Sequence, residues 1–337
     1  MMVLPEFKLM RPASLSEALS ALAQNPGAMA VAGGTDLLVS MKQGLYNPTH
    51  LVDLKGAPEL HRLEAGEGGA TIGACVRLSR VKNHPEIIRR YGALSQAADA
   101  VAGPALQNRG TIGGNVCLDT RCYYYNQSDF WRQSLGFCLK KDGPVCRAAP
   151  AAKRCFANFS SDTVPALIVL GARVRVVCGC EGGVSERVLP LEDFFVEDGM
   201  KRNVLAPGEL VAELYLPATR NVFSGYRKYR QRGAIDYPLV SVAAALSIED
   251  GVIRGARVAV GAMASAPVVA LETMEALEGA APTPELISKA AELVAKRTKP
   301  VKNQAGSPGH RRLMAKVMCR RLLEELLGLG PLFGKAV

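Results

Sequence analysis

The chain has 337 residues, 48% of them hydrophobic and 21% charged, enough to bury a large core divided between two domains or more. No apolar run approaches the roughly 20 residues that cross a bilayer, and the opening MMVLPEFKLMRP carries Glu6, Lys8 and Arg11 where a signal peptide keeps an apolar core, so a cytoplasmic location without a membrane span is expected. The net charge of +10 is spread along the chain; the set Arg311, Arg312, Lys316, Arg320 and Arg321 falls at helical spacing beside Leu313, Val317, Leu322 and Leu326, which predicts the wet face of an amphipathic helix and no nucleic-acid surface.

In chain order, Ser14 and Glu17 have capping-box spacing ahead of the apolar stripe Leu15, Ala18, Leu19 and Leu22, which predicts a helix. The stretch AMAVAGGTDLLVSMKQG predicts a strand, a tight Gly33-Gly34 turn and a short helix capped by Thr35 or Asp36, and HLVDL at 50–54 returns as a strand. A hairpin over 63–73 and a helix over 85–101 follow, then a glycine-rich connector at 103–116. The apolar run VPALIVLGARVRVV at 164–177 reads as strand, so residues 118–158, which show neither period, form an insertion between regular pieces. A third region begins near Phe223, with strands at 239–248 and 252–262 and helices at 284–297 and 310–327.

Two glycine turns carry the first chemical signal. AGGTDL at 32–37 and TIGGN at 111–115 each pair glycines that lack Cβ with polar residues, so that backbone N–H groups can close on phosphate oxygens. Neither matches GxGxxG or a P-loop, which argues against a Rossmann or nucleotide-triphosphatase site. With SSDTVPALIVLGA at 160–172, their order and spacing resemble the FAD-binding subunit or domain of the molybdenum hydroxylases, the xanthine dehydrogenase and carbon monoxide dehydrogenase group. That resemblance implies an α+β fold: a two-part FAD-binding domain (1–55, then 56–218 with the insertion) followed by a smaller α/β C-terminal flavoprotein domain (219–337). It implies that Ala32, Gly33, Gly34, Thr35, Asp36 and Leu37 and, in the second loop, Thr111, Ile112, Gly113, Gly114 and Asn115 hold FAD. It further places Asp162 on the sugar-like hydroxyls, Val101 against adenine, Val211 against the ring and Lys228 near the isoalloxazine.

The insertion holds Cys122, Cys138, Cys146 and Cys155, spaced C-x15-C-x7-C-x8-C. No CxxC pair is among them, and four thiolates suit zinc or an iron–sulfur cluster equally. A loop this polar cannot hold itself by burial, whereas one bound centre orders it. Cys117 is a reserve ligand, Cys75 and Cys319 read as small buried hydrophobes, Cys178 and Cys180 form C-G-C near a turn and read as reduced surface thiols with a redox role as the alternative, and the four histidines are given no chemistry. The segments DTRCYYYNQSDFWR, GFCLKKDG and VCRAAPAAKRCFANF resemble the insertion of 4-hydroxybenzoyl-CoA reductase β subunits, which implies a 4Fe-4S cluster on those four cysteines.

The same resemblance implies one subunit of a three-subunit oxidoreductase, assembled as a pair of heterotrimers. Electrons from ferredoxin pass through the 4Fe-4S cluster and FAD to a small subunit with two 2Fe-2S clusters and a molybdopterin large subunit, which dehydroxylates 4-hydroxybenzoyl-CoA to benzoyl-CoA. The runner-up is a molybdenum hydroxylase that oxidises another aromatic or heterocyclic substrate and sends electrons outward. A third reading, of another class, is a flavin-free binding protein with a structural zinc loop.

Overall fold

The computed structural model describes residues 3–180 and 183–329. A first unit comprises β1 (Lys8–Met10), α1 (Leu15–Gln24), β2 (Met29–Val31), α2 (Leu37–Lys42) and β3 (His50–Asp53), with the strands parallel in the order β1-β3-β2. Ser14 caps α1 by accepting from the Glu17 N–H, and the Glu17 carboxylate accepts from the Ala13 N–H, so the expected helix start is present.

The second unit contains β4 (Leu63–Gly66), β5 (Gly69–Gly73), α3 (Leu78–Asn83), α4 (Pro85–Arg90), α5 (Gly92–Ala100), α6 (Pro104–Gln107), α7 (Ile112–Val116), α8 (Asp129–Ser134), α9 (Thr163–Val169), β6 (Arg173–Cys180), β7 (Gly183–Pro190) and β8 (Glu209–Leu216). Its antiparallel sheet runs β4-β5-β8-β6-β7 and packs its main core against α5 and α9. Two expectations change here. The helix over 85–101 breaks at Tyr91 (φ −130°, ψ 52°), whose buried ring sends its hydroxyl to Pro217 O at 2.8 Å; past the break, a Cβ on Gly92 would lie 3.0 Å from Ser224 O, so α5 sits tight against the third unit. The first half of the 164–177 run is helix α9, all seven residues buried; a short, wholly apolar run has no period by which strand and buried helix differ.

The third unit holds β9 (Val222–Tyr229), β10 (Val240–Glu249), β11 (Val252–Gly261), β12 (Val268–Val269), α10 (Leu271–Leu277), α11 (Pro284–Arg297) and α12 (Pro308–Leu326), its sheet ordered β12-β11-β10-β9 and covered by α10 and α12, on which α11 packs. Arg311 corrects the wet-face expectation for α12: it is fully buried, donates to Leu239 O, Val301 O, Asn303 Oδ1 and Ala262 O, and burial without a carboxylate partner lowers it to about 10. Leu313, expected on the apolar face, is exposed. The expected third domain extends to residue 337; its last residues, 330–337, lie outside the described residues. No helix among the described residues is long and apolar enough to cross a membrane.

Candidate functional site: two adjoining chambers

All three units meet at a cleft of about 440 Å³. The first glycine loop forms one wall. The N–H groups of Gly33, Gly34, Thr35 and Asp36 have no acceptor among the described residues, which leaves four clustered donors of the kind a pyrophosphate takes. Gly33 is required by close approach, since a Cβ there would lie 2.2 Å from Arg109 O, and Gly34 by its φ of +70°. Ala32, Thr35, Asp36 and Leu37 line the same cleft.

The second loop contributes differently from what its glycines suggest. Thr111, Gly114 and Asn115 line the cleft, but the N–H groups of Ile112, Gly113 and Gly114 are spent on Val76 O, Ala74 O and Thr111 Oγ1. Ile112 is buried, and a Cβ on Gly113 would meet Ala74 Cβ at 2.6 Å, so neither faces the cleft; their task is to let α7 seat against the sheet. Asn115 Oδ1 accepts from Ser161 Oγ, the Thr163 N–H and Thr163 Oγ1, tying the loop to the Ser-Asp segment.

Asp162 lines the cleft and is held from behind: Tyr226 OH donates to Oδ1 at 2.5 Å and Lys228 Nζ to Oδ2 at 2.8 Å. Burial pushes its carboxyl up, against the pull of Lys228. Lys228 also donates to Ala100 O and does not line the cleft, so the structure places it behind Asp162. Val101 lines the cleft with its carbonyl fixed by the Gln107 amide. Val211 does not; it is buried in the core of the five-stranded sheet, opposite Val176.

Of the charged end of the cleft, sequence reasoning anticipated only Asp36. Asp36, offered as a helix cap, makes no cap bond; it accepts from Arg121 Nη1 at 3.0 Å and Tyr237 OH at 3.1 Å, and the Arg121 guanidinium lies 4.1 Å from the Tyr237 ring centroid. Tyr46, Asp119 and Arg202 complete this end. Asp119 accepts from Tyr46 OH at 2.7 Å and from Lys140 Nζ at 2.8 Å, with Arg202 Nη1 at 3.5 Å; burial pushes its carboxyl up, but the Lys140 and Arg202 cations outweigh that and hold it below the usual range. The charged pair in LDTRC was the available signal; Tyr46, Arg202 and Tyr237 come from remote loops with none.

Behind that wall lies a second, smaller chamber. Cys122, Cys138, Cys146 and Cys155 all line it, with Tyr124, Tyr125 and Lys140. Cys138, Cys146 and Cys155 are buried and Cys122 half-buried. Burial, opposed by a backbone N–H but reinforced by the other three thiols, pushes Cys122 up to about 12; burial likewise takes Cys155 to about 11 despite the Ala157 N–H and Lys140. Four thiolates so placed repel one another, and a bound cationic centre removes that cost. No three His, Cys, Asp or Glu side chains among the described residues are arranged to hold a single metal ion. Cys117 lines the larger cleft, away from this set, and Cys75 and Cys319 are buried as expected.

The chain matches two family models: the FAD binding domain in molybdopterin dehydrogenase over residues 5–219, and the CO dehydrogenase flavoprotein C-terminal domain over 225–326. It is 35% identical over 261 residues to the aldehyde oxidoreductase FAD-binding subunit PaoB of Escherichia coli strain K12, covering 75% of this chain and 80% of that protein. To the nicotine 6-hydroxylase medium subunit of Paenarthrobacter nicotinovorans it is 25% identical, covering 96% and 98%. Among solved structures, carbon monoxide dehydrogenase from Hydrogenophaga pseudoflava superposes with a TM-score of 0.79 at 24% identity, over 98% of this chain and 100% of that one, which establishes the α+β flavoprotein fold. With both domains matched and the glycine-loop cleft in place, the chain belongs to the molybdenum hydroxylase family, as an FAD-binding medium subunit of its oxidoreductases.

Proposed function

We propose that the chain is the FAD and 4Fe-4S subunit of a molybdenum-containing 4-hydroxybenzoyl-CoA reductase, relaying electrons from ferredoxin toward a small subunit with two 2Fe-2S clusters and a molybdopterin large subunit. The observation that carries this reading is the convergence of four thiols from a 34-residue span on one chamber that shares a wall with the FAD cleft. Four thiolates suit zinc or a polynuclear cluster; the resemblance of DTRCYYYNQSDFWR, GFCLKKDG and VCRAAPAAKRCFANF to the cluster-bearing insertion supports the cluster, and the four cysteines of those segments line one chamber.

When bound, FAD exchanges one or two electrons and an iron–sulfur cluster passes them singly, the chemistry that couples a one-electron donor to a two-electron reaction. The chain's own residues supply the housing. The free N–H groups of the first loop bind phosphate oxygens, Asp162 is pre-oriented by Tyr226 and Lys228 as a hydroxyl acceptor, and Val101 offers an apolar face at the cleft rim. Around the thiols, Tyr124 and Tyr125 exclude water. The partner subunits carry the aryl substrate, in a pair of heterotrimers in the cytoplasm.

The test is to purify the chain anaerobically with its partner subunits and assay FAD, iron and acid-labile sulfide per chain, then reductive dehydroxylation of 4-hydroxybenzoyl-CoA. Stoichiometric FAD with four irons and four sulfides, and benzoyl-CoA as product, are expected; zinc in place of iron defeats the reading. The similarity to an aldehyde oxidoreductase subunit favours one second reading, in which the partner oxidises its substrate and electrons leave through the same chamber. Substrate-dependent reduction of ferredoxin with no 4-hydroxybenzoyl-CoA turnover selects it.

A further inference from the structure

The wall between the two chambers is a buried ion pair. Asp119 lines the cleft, Lys140 lines the thiol chamber, and their charged atoms meet at 2.8 Å with both side chains under 10% exposed. Lys140 Nζ also donates to Thr120 O at 3.0 Å and to Thr120 Oγ1, and rests 4.3 Å from the Tyr125 ring centroid. All three ammonium protons therefore have fixed acceptors, and the cation cannot swing away. On the cleft side, Arg202 approaches Asp119 as well, so the three charges sum to one positive.

We infer that Lys140 is a positioning residue that sets the reduction potential of the centre held by the four thiols, acting through the fixed dipole it forms with Asp119. The inference rests on the cluster reading above. Reduction adds one electron, hence one negative charge, to the centre. The Lys140 ammonium is the end of the dipole nearer the sulfurs and stabilises that charge; the Asp119 carboxylate, farther off on the cleft side, opposes it. In a desolvated wall such charges are weakly screened. The arrangement raises the centre's potential above that of the same centre without the ammonium, which eases its reduction by a one-electron protein donor.

The experiment is potentiometric titration of the assembled enzyme, following the cluster by electron paramagnetic resonance, in Lys140→Met, Lys140→Arg and Asp119→Asn. Lys140→Met is expected to lower the reduced-to-oxidised ratio at a fixed potential about tenfold, equal to about 59 mV for a one-electron couple; Lys140→Arg stays near wild type, and Asp119→Asn shifts the ratio the opposite way. A purely structural role moves both charge-removing variants in the same direction. Full iron content with an unmoved potential in Lys140→Met, or shifts of the same sign in Lys140→Met and Asp119→Asn, overturns the inference while leaving the cluster reading intact. Wild-type enzyme without iron overturns both and is identified by metal analysis alone. Should Lys140→Met not load iron, Asp119→Asn decides, and an unshifted or lowered potential there overturns the inference.

Discussion

The cleft and the cysteine chamber adjoin, yet they are built on opposite principles. The cleft's first wall is made of backbone: the first glycine loop runs so close to the segment before the second that a single methyl group at Gly33 would collide with Arg109 O, and the units on either side are regular sheets and helices with large cores. The chamber is made of side chains: between 118 and 158 the one helix is the six-residue α8, and the loop is anchored by buried Arg132, whose guanidinium donates to Gln43 O, Gly44 O and Gln127 O, and by Lys140. A site made of backbone survives in any chain that keeps the fold; one made of side chains exists only where each residue is present.

The two sites are therefore separable by mutation. Cys138→Ser gives the largest expected effect: loss of the cluster, read as iron and sulfide content, with flavin largely retained; equal loss of both from a folded protein means that the insertion supports the dinucleotide cleft too. Gly33→Val reverses the pattern. Overpacking against Arg109 costs about 1–3 kcal/mol, and if that falls on the loop's binding conformation FAD affinity drops about tenfold to a hundredfold, checked by flavin release at constant iron content. Arg132→Met comes next: three half-buried carbonyls and the Asp129 carboxylate lose a donor, each lost hydrogen bond costing about 0.5–1.5 kcal/mol, so limited proteolysis should cut the insertion near α8 while the flavin remains bound.

The same contrast explains what was legible. The Gly33-Gly34 turn before a short helix and the capping box at Ser14 and Glu17 are local patterns with local causes, and the structure places them as read. The cysteines were visible by residue type, but their convergence depends on chain reversals such as Gly136–Phe137, where φ is positive at both residues and no periodicity announces it. Failures came where tertiary contact outweighs local pattern. Arg311 belongs by spacing to a charged stripe, yet four oxygen acceptors from remote segments draw it inside. In the second glycine loop the Ile112 and Gly113 N–H groups are spent on Val76 O and Ala74 O, so Gly113 serves packing while Gly114 lines the cleft, a division that sequence alone does not show.

The smallest predicted effect sharpens the comparison most, because it sets one acid of the cleft floor against one of the shared wall. Asp162 is raised by burial over the opposing pull of Lys228, whereas Asp119 is lowered because Lys140 and Arg202 overcome burial. An acid raised on folding binds more protons in the native state, so its contribution falls as pH climbs from the ordinary Asp value of about 3.9 through the raised folded value. An acid lowered on folding contributes stability that is present above about pH 3.9 and lost as pH drops through the lowered folded value. Denaturant unfolding across this range should thus show wild type losing ground to Asp162→Asn as pH rises above about 4, and losing its advantage over Asp119→Asn as pH falls below it. The two difference curves then slope in opposite directions. Slopes of the same sign would mean that the wall is no better supplied with compensating charge than the cleft floor, and that its cations do not dominate the space between the chambers.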